Sequence, residues 1–182
     1  QFIDRLPSSW PIIERARGVI EHFRHACELV AKCYKPAVIT DWVVIPHLRS
    51  VPVNVDRQGA RERLGLSTDA FIVATFGMVA PTKRNETLLR AWIKSQLSDD
   101  RHCQLVFAGP LDMGEYGSSL EETARMASAG HVRFTDRLTD EAFADWLAAA
   151  DVAVQLRGES RGETSGAVSH AMAHGSPVLV NA

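Results

Sequence analysis

Cysteine is scarce in this chain and gives it no disulfide framework. Cys27, Cys33 and Cys103 are the only three in 182 residues, an odd number, and a reducing cytoplasmic setting is the expectation. His22, His25, Cys27 and Cys33 carry no paired CxxC or HxxxH spacing, so they read as core and surface residues and no metal site is expected. No apolar run reaches membrane-spanning length, the longest candidate being FIVATFGMVA, and the first residues lack the charged and apolar blocks of a signal peptide. Neither sign of charge dominates. Twenty basic residues against twenty-two acidic give a net charge of −2, without the basic excess of a nucleic-acid binder, which favours small-molecule ligands. No initiator Met is present and the last residues lie inside a strand pattern, so the chain is expected to be a fragment.

What is present is an apolar content of 46%, enough for a real core, arranged as strands separated by helix-length segments. GVIEHF, a helix over 24–32 and WVVIPH read as strand, helix, strand, preceded by a short helix starting at Ser8-Ser9-Trp10-Pro11. Leu48 to Asn54 reads as a linker, placing a boundary near residue 50: residues 1–50 in one piece, 51–182 in another. Asp56 to Leu64 is a charged helix weakened by Gly59. Ala70 to Gly77 is a near-continuous apolar run, as expected of a parallel strand covered on both faces, and CQLVFAG repeats that pattern. Thr82 is expected to cap the helix bearing Leu88, Leu89, Trp92 and Ile93. Ser118 with Glu121 has capping-box spacing before a helix ending at Gly130, and Thr139 starts the helix EAFADWLAAA. With strands at HVRFTD, at 151–155 and at VLVN, the pattern predicts an α/β fold with a Rossmann-like, doubly wound parallel sheet.

Two loops carry the chemistry, both at the carboxyl ends of strands, where open α/β sheets bind ligands. In the first, Gly77 allows close backbone approach, and Lys83 with Arg84 stands near a helix start, where cations and exposed amides together bind phosphate oxygens. The second runs from Leu156 through Glu163, Thr164 and Ser165 into a helix over 166–174 stopped by Gly175. Solvated charge, or a carboxylate favoured by the helix dipole, is the simpler reading of each charged residue alone.

The ordered blocks RERLGL, FGMVAPTKR, LVFAGP and FADWLAAADVAVQLRGESRGETSGAVSHAMAHGSPVLV resemble the C-terminal donor-binding domain of retaining glycosyltransferases of the GT-B fold, family four. The resemblance covers about residues 50–182, and residues 1–50 are similar to the closing strand-helix-strand of the family's acceptor domain. It implies a nucleotide diphosphate sugar as donor, transfer with retained configuration, and a glycan, lipid or small-molecule acceptor. It implies no cofactor and no required metal, in keeping with the absence of an Asp-x-Asp motif, and no nucleic acid. It leaves room for a peripheral membrane contact through an absent N-terminal domain. Lys83 matches the lysine on the donor diphosphate and Gly77 the glycine beside it. Glu163 matches the glutamate that hydrogen-bonds the transferred sugar, and the backbone of Thr164, Ser165 and Gly166 the turn facing it. Glu163 and Lys83 are thus the implied catalytic pair. Two positions depart from the pattern: Met78 stands where many members have arginine, leaving Arg84 to meet part of the diphosphate charge. His170 stands where a second glutamate contacts the ribose, one residue closer to Glu163 than usual. A dinucleotide-dependent oxidoreductase lacks support, because the turn MVAPT holds no second glycine. A nucleotide-sugar epimerase and a non-catalytic sugar-nucleotide-binding module stay open.

Overall fold

The computed structural model describes residues 10–13, 15–34, 42–127, 131–158 and 165–181. They divide into two compact units that part between Leu48 and Arg49, with Ser165 grouped in the first. In the first unit, helix α1 (Trp10–Ile13) is followed by strand β1 (Val19–Glu21), helix α2 (Arg24–Tyr34) and strand β2 (Trp42–Val44). The two strands pair in parallel, Ile20 beside Val43, so the strand-helix-strand pattern holds. Ser8, Ser9 and the Cys33 side chain lie outside the described residues.

The second unit runs α3 (Arg57–Arg63), β3 (Phe71–Phe76), α4 (Asn85–Ile93), β4 (Cys103–Ala108), α5 (Glu115–Met126), β5 (Val132–Phe134), α6 (Asp140–Ala149), β6 (Val152–Gln155), α7 (Gly166–Ala173) and β7 (Val178–Val180). Its sheet has the order β5-β4-β3-β6-β7, every pair parallel. The chain builds outward from β3 to β5, then returns to place β6 on the other side of β3. Alternating residues of β3 serve opposite faces. Ile72, Ala74 and Phe76 pack with Trp146 and Leu147 of α6, whereas Val73 packs with Leu89 and Trp92 of α4 and Leu120 of α5. Helices therefore cover both faces, which is why the strand is apolar at every position but Thr75.

Local signals set some helix starts and tertiary contacts set others. Thr139 caps α6 as its sequence predicts, its Oγ1 accepting the Ala142 N–H at 3.2 Å. At α3 the Asp56 carboxylate accepts the Gly59 N–H at 2.9 Å, and a Cβ on Gly59 would lie 2.0 Å from Asp56 Oδ2. Gly59, expected only to weaken the helix, makes room for its cap. Thr82 caps nothing: it lies inside a 3₁₀ turn, Pro81–Lys83, and α4 begins only after Arg84, which adopts left-handed φ 50°, ψ 34°. Ser118 is likewise interior to α5, which starts at Glu115 because Asp112 Oδ1 holds the Gly114 N–H at 2.9 Å and turns the chain there. That helix ends at Met126, and Gly130 lies outside the described residues.

At the amino ends of the strands, Arg61 of α3 is 4% exposed. Its guanidinium donates to the Ala149 carbonyl at 3.1 and 3.2 Å, to the Thr68 carbonyl, and to Asp151 Oδ2 at 2.8 Å. Asp151 also accepts the Ile72 N–H at 2.7 Å and pairs with Arg57. Two arginines on one carboxylate, with the carbonyl bonds of Arg61, thus tie α3, the end of α6, and the entries to β3 and β6.

At the carboxyl ends, Gly77 (φ 98°) continues the ladder by donating to the Ala108 carbonyl at 3.0 Å. Gly109 packs directly on it, and a Cβ at Gly109 would stand 2.2 Å from the Gly77 carbonyl oxygen. Gly109→Ala is expected to destabilise the domain by about 1–3 kcal/mol, the usual cost of forced overpacking, read as a lowered urea midpoint. An unchanged midpoint would show that the two turns separate freely.

Candidate functional site

The site forms where β3 and β6, neighbours in the sheet but connected to opposite sides of it, release their following loops. Their backbones pair at Val73–Val152 and Ala74–Ala153. Beyond that the buried Gln155 carboxamide, oriented to satisfy both partners, spans the gap, donating to the Phe76 carbonyl at 3.2 Å and accepting the Phe76 N–H at 2.6 Å. On the other side of β6, Asn181 acts similarly: its Nδ2 donates to the Arg157 carbonyl at 3.0 Å and its Oδ1 accepts the Arg157 N–H at 2.8 Å. Two side-chain amides thus replace ladder bonds where the strands part, holding fixed the backbone from which the second loop leaves. Polar residues at strand ends carry no periodic signal, so neither role is legible in the sequence.

From Gly77 the first loop passes Met78, which is 53% exposed, to Val79, which is pinned by its N–H to the Pro110 carbonyl at 2.9 Å and by its carbonyl to the Asp112 N–H at 3.0 Å. The turn that follows places half-buried Lys83 just before exposed Arg84, with α4 behind them. The two loops meet directly, the Gly158 N–H donating to the Thr82 carbonyl at 2.9 Å. Gly77, Met78, Lys83 and Arg84 are therefore gathered on one loop, and that loop is joined to the segment leading toward Glu163. Glu163 and Thr164 lie outside the described residues.

The second loop feeds α7, whose first residue, Gly166, faces a cation: a Cβ there would stand 3.0 Å from Nη2 of Arg49. A guanidinium beside a helix N-terminus adds positive potential to positive potential, an unfavourable arrangement unless an anion is shared between them. Arg49 fell in the linker of the sequence reading, with nothing local to connect it to residue 166. His170, four residues into α7, sets its ring edge-to-face on Phe143 with centroids 5.8 Å apart, and Phe143 sits similarly on Phe76 at 5.6 Å. This aromatic series relates His170 to the carboxyl end of β3. His174, at i+4 from His170, turns back on its own helix, its Nδ1 donating to the His170 carbonyl at 2.9 Å. Gly175 (φ 76°) then ends the helix as expected, with Ser176 N–H on the Ala171 carbonyl at 3.0 Å.

Farther along the same rim, a cavity of about 290 Å³ is lined by Leu111, Asp112, Met113, Glu121, Phe134 and Asp136. Asp136 holds a left-handed backbone, φ 60°. Among the described residues no group of His, Cys, Asp and Glu side chains could hold a metal ion, and no helix is long and apolar enough to cross a membrane.

The parallel order, the switch between β3 and β6 and the paired loops define a Rossmann-like domain of the GT-B kind. A family model described as glycosyl transferases group 1 matches residues 70–182, and the chain belongs to that family. It is 31% identical over 148 residues to a D-inositol 3-phosphate glycosyltransferase of Streptomyces bingchenggensis, covering 78% of this chain and 30% of the relative. It is 35% identical over 107 residues to another of Catenulispora acidiphila, covering 54% and 25%. The chain thus spans less than a third of the length of these curated relatives. In solved structures, Anabaena HepE in complex with UDP and glucose aligns with TM-score 0.77 at 21% identity, over 96% of this chain and 47% of that one. Sucrose-phosphate synthase of Thermosynechococcus elongatus aligns with TM-score 0.71 at 26% identity, over 97% and 43%.

Proposed function

We propose that the second unit is the donor-binding part of a glycosyltransferase that takes its sugar from a nucleotide diphosphate and keeps the anomeric configuration. The observation that carries this reading is the Gly158–Thr82 hydrogen bond at the switch point, which joins the Lys83 loop to the loop bearing Glu163. The diphosphate belongs against Lys83 and Arg84, with Arg49 and the α7 N-terminus as a second positive element. Glu163 accepts hydrogen bonds from sugar hydroxyls. As the bond from the anomeric carbon to the phosphate oxygen breaks, its electron pair moves to the diphosphate, and fixed cations and amides stabilise charge that grows there. The sugar meanwhile acquires oxocarbenium character. UDP in the HepE structure makes a uridine donor the first to test, and cytoplasmic transfer to a glycan, lipid or small-molecule acceptor completes the proposal.

Glu163 decides between the site reading and a structural one. If it only favours the start of α7, Glu163→Gln costs roughly 0.3–1 kcal/mol of stability and leaves ligand preference alone. On the site reading the substitution weakens a UDP-sugar and spares UDP, because only the conjugate offers hydroxyls to the carboxylate. Paired calorimetric titrations of UDP and UDP-glucose with both proteins make the comparison. Equal loss for both ligands, or loss for neither, would remove Glu163 from the sugar site.

A further inference from the structure

We infer that Tyr116 is a positioning residue for the donor-phosphate loop, holding the start of α4 and with it the Lys83 turn. The inference rests on the donor reading above and adds to it a residue outside both ligand loops. Helix α4 begins without a side-chain cap, because Arg84 in the left-handed region offers none, and the first helical amides need acceptors. Tyr116 supplies one from the neighbouring helix: its hydroxyl oxygen accepts the Glu86 N–H at 3.1 Å. The bond lies at the surface, Glu86 being exposed, next to Asn85, which is 2% exposed with no hydrogen-bond partner for its Oδ1.

Tyr116 is itself held by the loop after β4. Asp112 turns the chain into α5 through the Gly114 N–H, and Gly117 lies so close to that loop that a Cβ would stand 2.1 Å from the Asp112 carbonyl oxygen. The same Asp112 donates its N–H to the Val79 carbonyl. The phosphate loop is consequently braced at Val79 before the turn and at Glu86 after it, both times through the Leu111–Gly117 segment. Burial pushes the phenol above its ordinary pKa, so the neutral hydroxyl persists throughout the range in which the protein would work.

The test compares Tyr116→Phe, which removes one oxygen, with the unaltered 182-residue chain. Amide exchange at Glu86 is expected to accelerate, while affinity for UDP or GDP falls roughly threefold to tenfold, the range of a neutral hydrogen bond. Affinity for uridine and guanosine is expected to hold, and general loss of structure would lower it too. Gly117→Ala, which displaces α5 but keeps the hydroxyl, should reproduce the selective loss. Unchanged exchange at Glu86, or faster exchange with unchanged diphosphate affinity, would overturn the inference. Failure of the unaltered chain to bind any nucleoside diphosphate would overturn the donor reading instead, and exchange at Glu86 would still decide whether Tyr116 braces the loop.

Discussion

Arg61→Ala is expected to lower the unfolding free energy by roughly 3–5 kcal/mol, the cost of stripping one partner from a buried ion pair. The effect is large because several groups lose their donor together. The Ala149 and Thr68 carbonyls and Asp151 Oδ2 all accept from this guanidinium, in a site where Ala149 is fully buried. The buried Ala149 carbonyl left unpaired carries a desolvation penalty, and the partly buried Asp151 carboxylate a share of one. Asp151 keeps the Ile72 N–H and the Arg57 pair, which keeps the loss within that range. Arg61→Lys should recover only part of it, because an ammonium cannot reproduce the planar fork that serves two carbonyls and a carboxylate. Urea denaturation checks this as a drop in midpoint at unchanged slope. Against a typical total of about 5–15 kcal/mol, the variant would stand near its unfolding threshold. The network lies at the amino ends of the strands, so ligand affinity per folded molecule should not move. A loss below about 1 kcal/mol, the worth of a surface pair, would show that solvent reaches this arginine.

Lys83→Ala should weaken binding of UDP by about 1.5–3 kcal/mol, the range for a hydrogen bond to a charged group, which is roughly tenfold to over a hundredfold in Kd. Uridine should bind as before. Lys83 ends the 3₁₀ turn, and the residue before it within that turn, Thr82, accepts the Gly158 N–H from the second loop. Its backbone is therefore fixed from two strands, and removing the side chain should leave the loop in place. The difference between the two proteins should shrink with added salt, because a half-buried charge pair is still partly screened. Titration calorimetry with UDP and uridine at two ionic strengths reads all of this. Equal weakening of nucleotide and nucleoside would mean that Lys83 supports the loop and does not contact phosphate.

Much of this architecture was legible because its causes are local. The runs at Phe71–Phe76 and Cys103–Ala108 are apolar but for Thr75 and Gln104, and near-continuous apolarity in so short a length is the mark of a strand covered on both faces. Thr139 and Gly175 work through atoms within a few residues of themselves, so their roles can be read without the rest of the chain. The matching blocks around Gly77, Lys83 and Gly166 are likewise continuous stretches.

Tertiary structure decided whatever depends on partners distant in sequence. The order β5-β4-β3-β6-β7 follows from how helices share the two faces of one sheet, and no periodicity encodes it. Thr82 and Ser118 carry the chemistry of caps, but the backbone turned earlier or later than they required, at Arg84 and at Gly114. Arg61 belongs to a stretch, RQGARER, that reads as solvated charge. It is buried because Asp151 and Ala149, some ninety residues on, arrive from α6 and β6 to neutralise and bond it. Gln155, Asn181, Arg49 and Tyr116 have the same cause. Sequence alone determines which elements form and which side-chain types are available, since propensity and pattern act over a few residues. Which polar groups come together at the switch point is settled only when parallel strands, linked by long crossovers, close on one another.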